Sequence, residues 1–294
     1  MKYIDRKGNT FQVTSKQDEL LSAIYGSRVG RLLIKPLVHP MISKIGGSIL
    51  NHPISSLAIT YFVRKNKINL KEYVPCRYSS FNDFFTRKIK KSARPINTKK
   101  NVLISPSDGK ISVYKITESS CFQIKNTWYS MRVLLNNEEL ARKYTDGYAV
   151  LIRLTVDDYH RYCYIDDGTK TNNYFIEGKL HTVNPIANDI YPIYKENCRE
   201  YCILQTENFD DVLQMEVGAL MVGKINNYHG VSHIKKGMEK GRFEFGGSTI
   251  LLFFKKDTVD ISKDILENTK KGYETIVKMG EEIGVSSIKP LTSL

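Results

Sequence analysis

The sequence predicts an α+β fold: a basic helical N-terminal region set on a β-rich catalytic core, with a C-terminal helix. Three observations carry this. The first hundred residues hold apolar stretches interleaved with Lys and Arg and interrupted by proline. From about Val102 the texture changes to short runs of β-branched and aromatic residues, punctuated by Gly, Asn and Asp. Between Ile265 and Ile283, apolar residues recur at roughly helical spacing. The division that follows is residues 1–100 for the helical region and 101–294 for the core.

Within the first region, residues 19–25 and 31–38 read as helices, and Pro36, Pro40, Pro53 and Gly46–Gly47 divide the segment into short pieces. The charge is lopsided. Residues 1–100 carry 20 of the 44 Lys and Arg but only 5 of the 31 Asp and Glu. The rest of the chain is close to neutral, so the whole excess of +13 comes from the first third. A one-sided positive field implies an anionic partner. Aromatic residues are scarce among the helical cations, which argues against nucleic acid, whose bases want stacking platforms. Arg31 and Lys35, set among Leu, Ile and Val, fit an interfacial helix on an anionic phospholipid membrane and are the candidate membrane contacts.

Across the core, strands are expected at residues 110–115, 148–156, 174–176, 201–204, 213–225 and 249–254. Hydrophobic content of 41% and charged content of 26% exclude disorder as a description of the chain. Five cysteines are too few and odd in number for a disulfide scaffold, so free thiols in a reducing compartment are expected. Nothing approaches the ~20 apolar residues of a spanning helix, and residues 1–7 lack a signal-peptide core. A soluble or peripheral protein on the cytoplasmic side of the cell membrane is the expectation.

Several motifs fail on inspection. Gly218 to Lys224 fits the start of a phosphate-binding loop, but Ile225 stands where that loop needs Ser or Thr. His229 and His233 lack companions to complete a metal set, so no metal is expected. Cys198 and Cys202 have the wrong gap for a zinc knuckle and read as core or surface thiols. The adjacent acids Asp157–Asp158 and Asp166–Asp167 read as solvated turn residues, with Asp158 held open because His160 is near in sequence.

Three segments remain. Asp108 sits on an Asp-Gly turn, His160 follows an apolar strand, and Ser248 comes after Gly246–Gly247 and opens the most apolar run in the chain. Asp, His and Ser are the parts of an activated nucleophile, recognised by role and not by order. The chain resembles the phosphatidylserine decarboxylases, pyruvoyl-dependent enzymes made as self-cleaving proenzymes. The resemblance rests on Phe81–Asn82–Asp83–Phe84–Phe85–Thr86–Arg87, Ala93–Arg94–Pro95–Ile96, Ser105–Pro106–Ser107–Asp108–Gly109, Asp158–Tyr159–His160–Arg161, Val217 through Gly223, Lys236–Gly237 and Phe243 through Thr249.

The resemblance implies scission between Gly247 and Ser248, giving a β chain of residues 1–247 and an α chain of 248–294. Ser248 would become the pyruvoyl cofactor, His160 would be the base and Asp108 would orient it. The product of phosphatidylserine would be phosphatidylethanolamine and carbon dioxide, and a homodimer is the implied assembly. One departure stands out: many family members carry a second His three residues after the first, and Cys163 occupies that place. The rival readings are a pyruvoyl enzyme acting on a soluble amino acid, an intact Ser–His–Asp hydrolase, and an unprocessed lipid-binding protein. The hydrolase lacks the Gly-x-Ser-x-Gly elbow.

Overall fold

In the computed structural model, which describes residues 2–12, 16–124, 127–188, 192–219, 224–244 and 248–288, the chain opens with two short strands, β1 (Lys2–Ile4) and β2 (Thr10–Gln12). Helices α1 (Lys16–Gly26), α2 (Arg28–Leu37), α3 (Pro40–Asn51), α4 (Ile59–Lys65) and α5 (Phe81–Phe85) follow. Pro40 opens α3 where a missing N–H goes unnoticed, and the His39 side chain accepts from the Met41 amide. Gly46 and Gly47, expected to break the segment, instead lie inside α3. Each glycine costs about 1 kcal/mol against alanine, which weakens a helix without ending it. Among the described residues, no helix is long and apolar enough to cross a membrane.

The core then builds β3 (Val102–Ile104), β4 (Gly109–Lys115), the hairpin β5 (Cys121–Ile124) and β6 (Thr127–Ser130), and two short helices, α6 (Met131–Leu135) and α7 (Glu138–Arg142). Strands β7 (Tyr148–Leu154), β8 (Arg161–Cys163), β9 (Gly168–Lys170) and β10 (Tyr174–Ile176) lead to helices α8 (Pro185–Asn188) and α9 (Ile193–Glu196). The long hairpin β11 (Arg199–Thr206) and β12 (Asp211–Val217) precedes β13 (Ile225–Asn227), β14 (Ser232–Ile234), β15 (Glu239–Phe243) and β16 (Ser248–Phe254). Last come β17 (Val259–Ile261), α10 (Lys263–Lys270), β18 (Glu274–Val277) and β19 (Glu282–Ser286).

One large sheet runs β14-β9-β11-β12-β16-β7-β4-β18-β1-β2, with β10 also on β11. Its pairs are antiparallel except β1 with β18. Every residue of β16 is buried because both faces of the sheet are covered. Side chains alternate across a strand. Ile250, Leu252 and Phe254 join Val150, Ile152 and Ile111 on one side. Leu251 and Phe253 join Leu151, Leu213 and Met215 on the other. Fully burying each such side chain is worth about 1.5–3 kcal/mol. The first core is roofed by the small sheets β13-β15-β8 and β17-β19-β3. The second takes Tyr25, Ile34 and Val38 from α1, α2 and the residue after α2.

Several expectations are corrected. Residues 2–12, placed in the helical region, extend the core sheet. The C-terminal helix ends at Lys270; Gly272, at φ +79, turns the chain into β18, and Ile276, Val277 and Ile283 are strand residues. The expected run 213–225 stops at Val217, Ile225 opens β13, and residues 220–223 lie outside the described set. Asp166 is buried and binds Asn208 instead of facing water. All five cysteines are free, and Cys163, Cys198 and Cys202 are buried.

Candidate active site

Three neighbouring strands bring the chemistry to one end of the sheet. Register pairs Lys110 of β4 with Arg153 of β7, and Leu154 of β7 with Ser248 of β16. Asp108 and Ser248 therefore flank the end of β7 from either side. The approach of β4 to β7 is close: a Cβ on Gly109 would lie 2.8 Å from Ile152 Cγ2 and 2.9 Å from the Arg153 carbonyl. Glycine is required there, and it seats the turn carrying Asp108.

His160 arrives from the connection between β7 and β8. The Phe243 N–H donates to its carbonyl at 2.9 Å, and the Cys163 N–H donates to Pro106 O at 2.9 Å, tying this connection to β15 and to the Asp108 turn. Asp158 anchors the same connection. It accepts from Lys110 Nζ at 2.7 Å and from the Thr155 amide at 2.6 Å. Burial opposes its charge, but Lys110 and Thr155 outweigh burial and hold the Asp158 carboxyl below its usual range.

The imidazole of His160 is fully buried, its Nδ1 3.0 Å from the Asp158 carbonyl oxygen and its ring centroid 4.1 Å from that of Phe85. A carbonyl only accepts, so Nδ1 carries the proton and Nε2 presents its lone pair. Nε2 has no partner. Burial pushes the pKa down to about 3, against a smaller upward pull from Asp158. The ring is neutral at physiological pH. The Ser248 Oγ is likewise buried without a partner, as is Ser107 Oγ on the Asp108 turn. Orphaned buried polar atoms are uncommon and call for a reason; a hydroxyl and an imidazole lone pair are the chemical types that a nucleophile and its base require.

Of the residues singled out from sequence, Ser248 and His160 lie at this end of the sheet with free reacting atoms. Asp108 is there too, but no hydrogen bond joins it to His160. Arg94 holds both its oxygens, Nη2 at 2.6 Å and Nε at 2.8 and 3.1 Å, and the Met279 amide donates at 2.9 Å. Gly247 lies outside the described residues. Cys163 is buried, and burial pushes its thiol up to about 12, so it stays protonated. Sequence reasoning missed Arg94, Lys110 and Phe85 as the groups that fix the site, although Arg94 and Phe85 stand in motifs already singled out.

The N-terminal helices present a second surface. Leu32, Leu33, Met41, Ile45, Ile49 and Leu57 are exposed, and Lys35 is exposed beside them. Arg31 lies on α2, with its side chain outside the described set.

Comparison with known proteins places these features in context. The family model for phosphatidylserine decarboxylase matches residues 81–285. The chain is 48% identical over 265 residues to phosphatidylserine decarboxylase proenzyme 2 of Clostridium acetobutylicum, covering 90% of this chain and 91% of that protein. It is 43% identical over 292 residues to the phosphatidylserine decarboxylase proenzyme of Clostridium botulinum strain Hall, covering 97% and 99%. The Clostridium tetani proenzyme is 40% identical over 292 residues, covering 97% and 98%.

Proposed function

The chain belongs to the phosphatidylserine decarboxylase family, and from that premise we propose that it cleaves itself at Gly247–Ser248 and decarboxylates phosphatidylserine to phosphatidylethanolamine. The observation that carries the reading is the pair of orphaned, buried atoms, Ser248 Oγ and His160 Nε2, at one end of the sheet.

Ser248 Oγ attacks the carbonyl carbon of residue 247 while His160 Nε2 takes the hydroxyl proton. The peptide C–N bond breaks, His160 returns the proton to the freed amine, and an ester replaces the amide. Loss of the Cα proton of residue 248 expels the carboxylate of residue 247 and leaves dehydroalanine, whose imine tautomer takes up water and releases ammonia, leaving the ketone on residue 248. A base with so low a pKa is slow, and this step needs to run once per chain. The Asp158 carbonyl, with its carboxylate beyond, steadies the transient imidazolium. Asp108 acts from outside the His160 hydrogen bond, clamping the 105–108 turn through Arg94 and Met279.

The residues fit the pyruvoyl group, since the buried hydroxyl with no partner is the atom the conversion consumes. Once formed, the group supplies a ketone that condenses with the substrate amine and accepts the electron pair left as carbon dioxide departs. His160 Nε2, whose lone pair is free, would take a proton from the substrate ammonium as it condenses and return it to the carbon that carbon dioxide leaves.

The membrane reading rests on the exposed apolar face of α2, α3 and the turn after them, together with the basic N-terminal third. Each cation near an anionic leaflet adds about 1 kcal/mol, and the apolar side chains enter the interface. Both features support a peripheral enzyme on the cytoplasmic side of the cell membrane. Carbon dioxide release from phosphatidylserine vesicles, run beside free serine and free tryptophan, tests the substrate. Release from a free amino acid and none from vesicles would overturn the lipid assignment.

A further inference from the structure

We propose that Arg87 is the anion-binding residue of the substrate pocket, and that it takes the phosphodiester of the lipid headgroup in preference to the carboxylate. The inference rests on the decarboxylase reading above.

The other buried cations are answered. Arg94 pairs with Asp108 and Glu72, Lys110 with Asp158, Arg153 with Glu274, Arg161 with Glu239 and Lys240 with Glu216. Lys170 and Arg199 are wrapped by backbone carbonyls. Arg87 is different. It is 2% exposed and has no carboxylate partner among the described residues. Nη2 donates to the Tyr73 hydroxyl at 3.1 Å, Nη1 reaches the Phe84 and Phe85 carbonyls only at 3.5 Å, and Nε has no partner. The rings of Tyr73 and Phe84 hold the guanidinium at 4.3 and 4.8 Å. Such cation–π contact offsets only part of what desolvating an unpaired charge costs. A planar fork kept dry, charged and short of acceptors matches a phosphate oxyanion.

Its position suits a substrate. Phe85 packs on the His160 ring, Arg161 Nε donates to the Thr86 carbonyl at 2.7 Å, and the Ile89 amide donates to the Tyr159 hydroxyl at 3.4 Å. Residues 85–89 thus run along 159–161, and Arg87 lies two residues from the ring that packs on His160. The choice between the two headgroup anions follows from the chemistry. A cation paired with the carboxylate stabilises the ground state and opposes loss of carbon dioxide. The phosphodiester keeps its charge from substrate to product, so pairing there strengthens binding without hindering the reaction.

The test measures the processed enzyme on short-chain phosphatidylserine, with short-chain phosphatidylethanolamine as inhibitor. In Arg87→Gln, the mass should still show two chains. KM and the inhibition constant should rise together by about tenfold to a hundredfold, with kcat within about threefold, and Arg87→Lys should fall between. A raised KM with unchanged inhibition would assign Arg87 to the carboxylate, and an unchanged KM would make it structural; either overturns the proposal. Should Arg87→Gln fail to fold, wild-type enzyme decides. The phosphate-bearing inhibitor should bind at least tenfold tighter than the matching diacyl ethanolamine ether without phosphate, and equal binding overturns the proposal. Absence of wild-type turnover would sink the decarboxylase reading instead.

Discussion

Lowering the pH from 7.5 to 5.5 is expected to leave the rate of self-cleavage unchanged within about twofold. A histidine with an ordinary pKa near 6.5 would be about nine-tenths protonated at pH 5.5, and a step needing neutral imidazole would slow about tenfold. His160 is buried at the base of β8, and its pKa is pushed down to about 3, so essentially every molecule holds the neutral ring at both pH values. The perturbation that exposes this mechanism is Phe85→Ala. Removing the ring 4.1 Å from the imidazole admits water and moves the pKa back toward its free value. The variant should lose about 3–5 kcal/mol of stability, and its cleavage rate should acquire the tenfold fall that the wild type lacks. The assay follows appearance of the small chain in freshly translated protein, by gel and by mass, at several pH values. Phe85→Leu, which keeps most of the packing, should be intermediate. A wild-type rate that falls with an apparent pKa near 6.5 would refute the reasoning.

The same shift affects stability, with its own sign. Between pH 6.5 and about 3 the unfolded chain binds a proton at His160 that the folded chain refuses, so folding weakens as pH falls through that window. In an uncleavable Ser248→Ala background, His160→Gln should flatten the decline of denaturant midpoint from pH 7 to 4; an unchanged slope would contradict the burial argument. Lys110→Met should cost about 3–5 kcal/mol by leaving Asp158 unpaired, whereas Lys110→Met with Asp158→Leu should recover part of that in urea titration. Replacing Leu32, Ile45 and Leu57 together by Gln should release the protein from anionic liposomes while leaving self-cleavage intact; co-sedimentation unaffected by the change would remove the docking face. Truncation is the wrong probe here, since residues 2–12 belong to the sheet. Cys163→Ala should process within about threefold of wild type, because a thiol pushed up to about 12 carries no proton traffic.

The strands at the heart of the sheet were legible because burial on both faces leaves an unbroken apolar run, as in residues 249–254. Short edge strands carry no such signature: of Lys2–Ile4 only Tyr3 is buried, and nothing in three residues announces a parallel pairing with Glu274 and Thr275. The expected C-terminal helix overruns the observed one because Tyr273, Ile276, Val277 and Ile283 fall by coincidence near helical spacing, while the turn at Gly272 is a single residue. In the site, Ser248 and His160 could be found from local context. The partner of Asp108 could not, since Arg94 reaches it through tertiary packing, and the link expected between Asp108 and His160 is replaced by the Asp158 carbonyl two residues before the imidazole. The buried Lys110–Asp158 pair is likewise invisible until β4 and β7 are side by side.

The intact mass of the purified protein under denaturing conditions tests the central claim most directly. Two chains are expected, one of residues 1–247 and one of residues 248–294, the smaller lighter by one ammonia than a peptide beginning with serine. A single chain at full mass would contradict the account, because the orphaned Ser248 Oγ and His160 Nε2 would then have no self-cleavage to explain them.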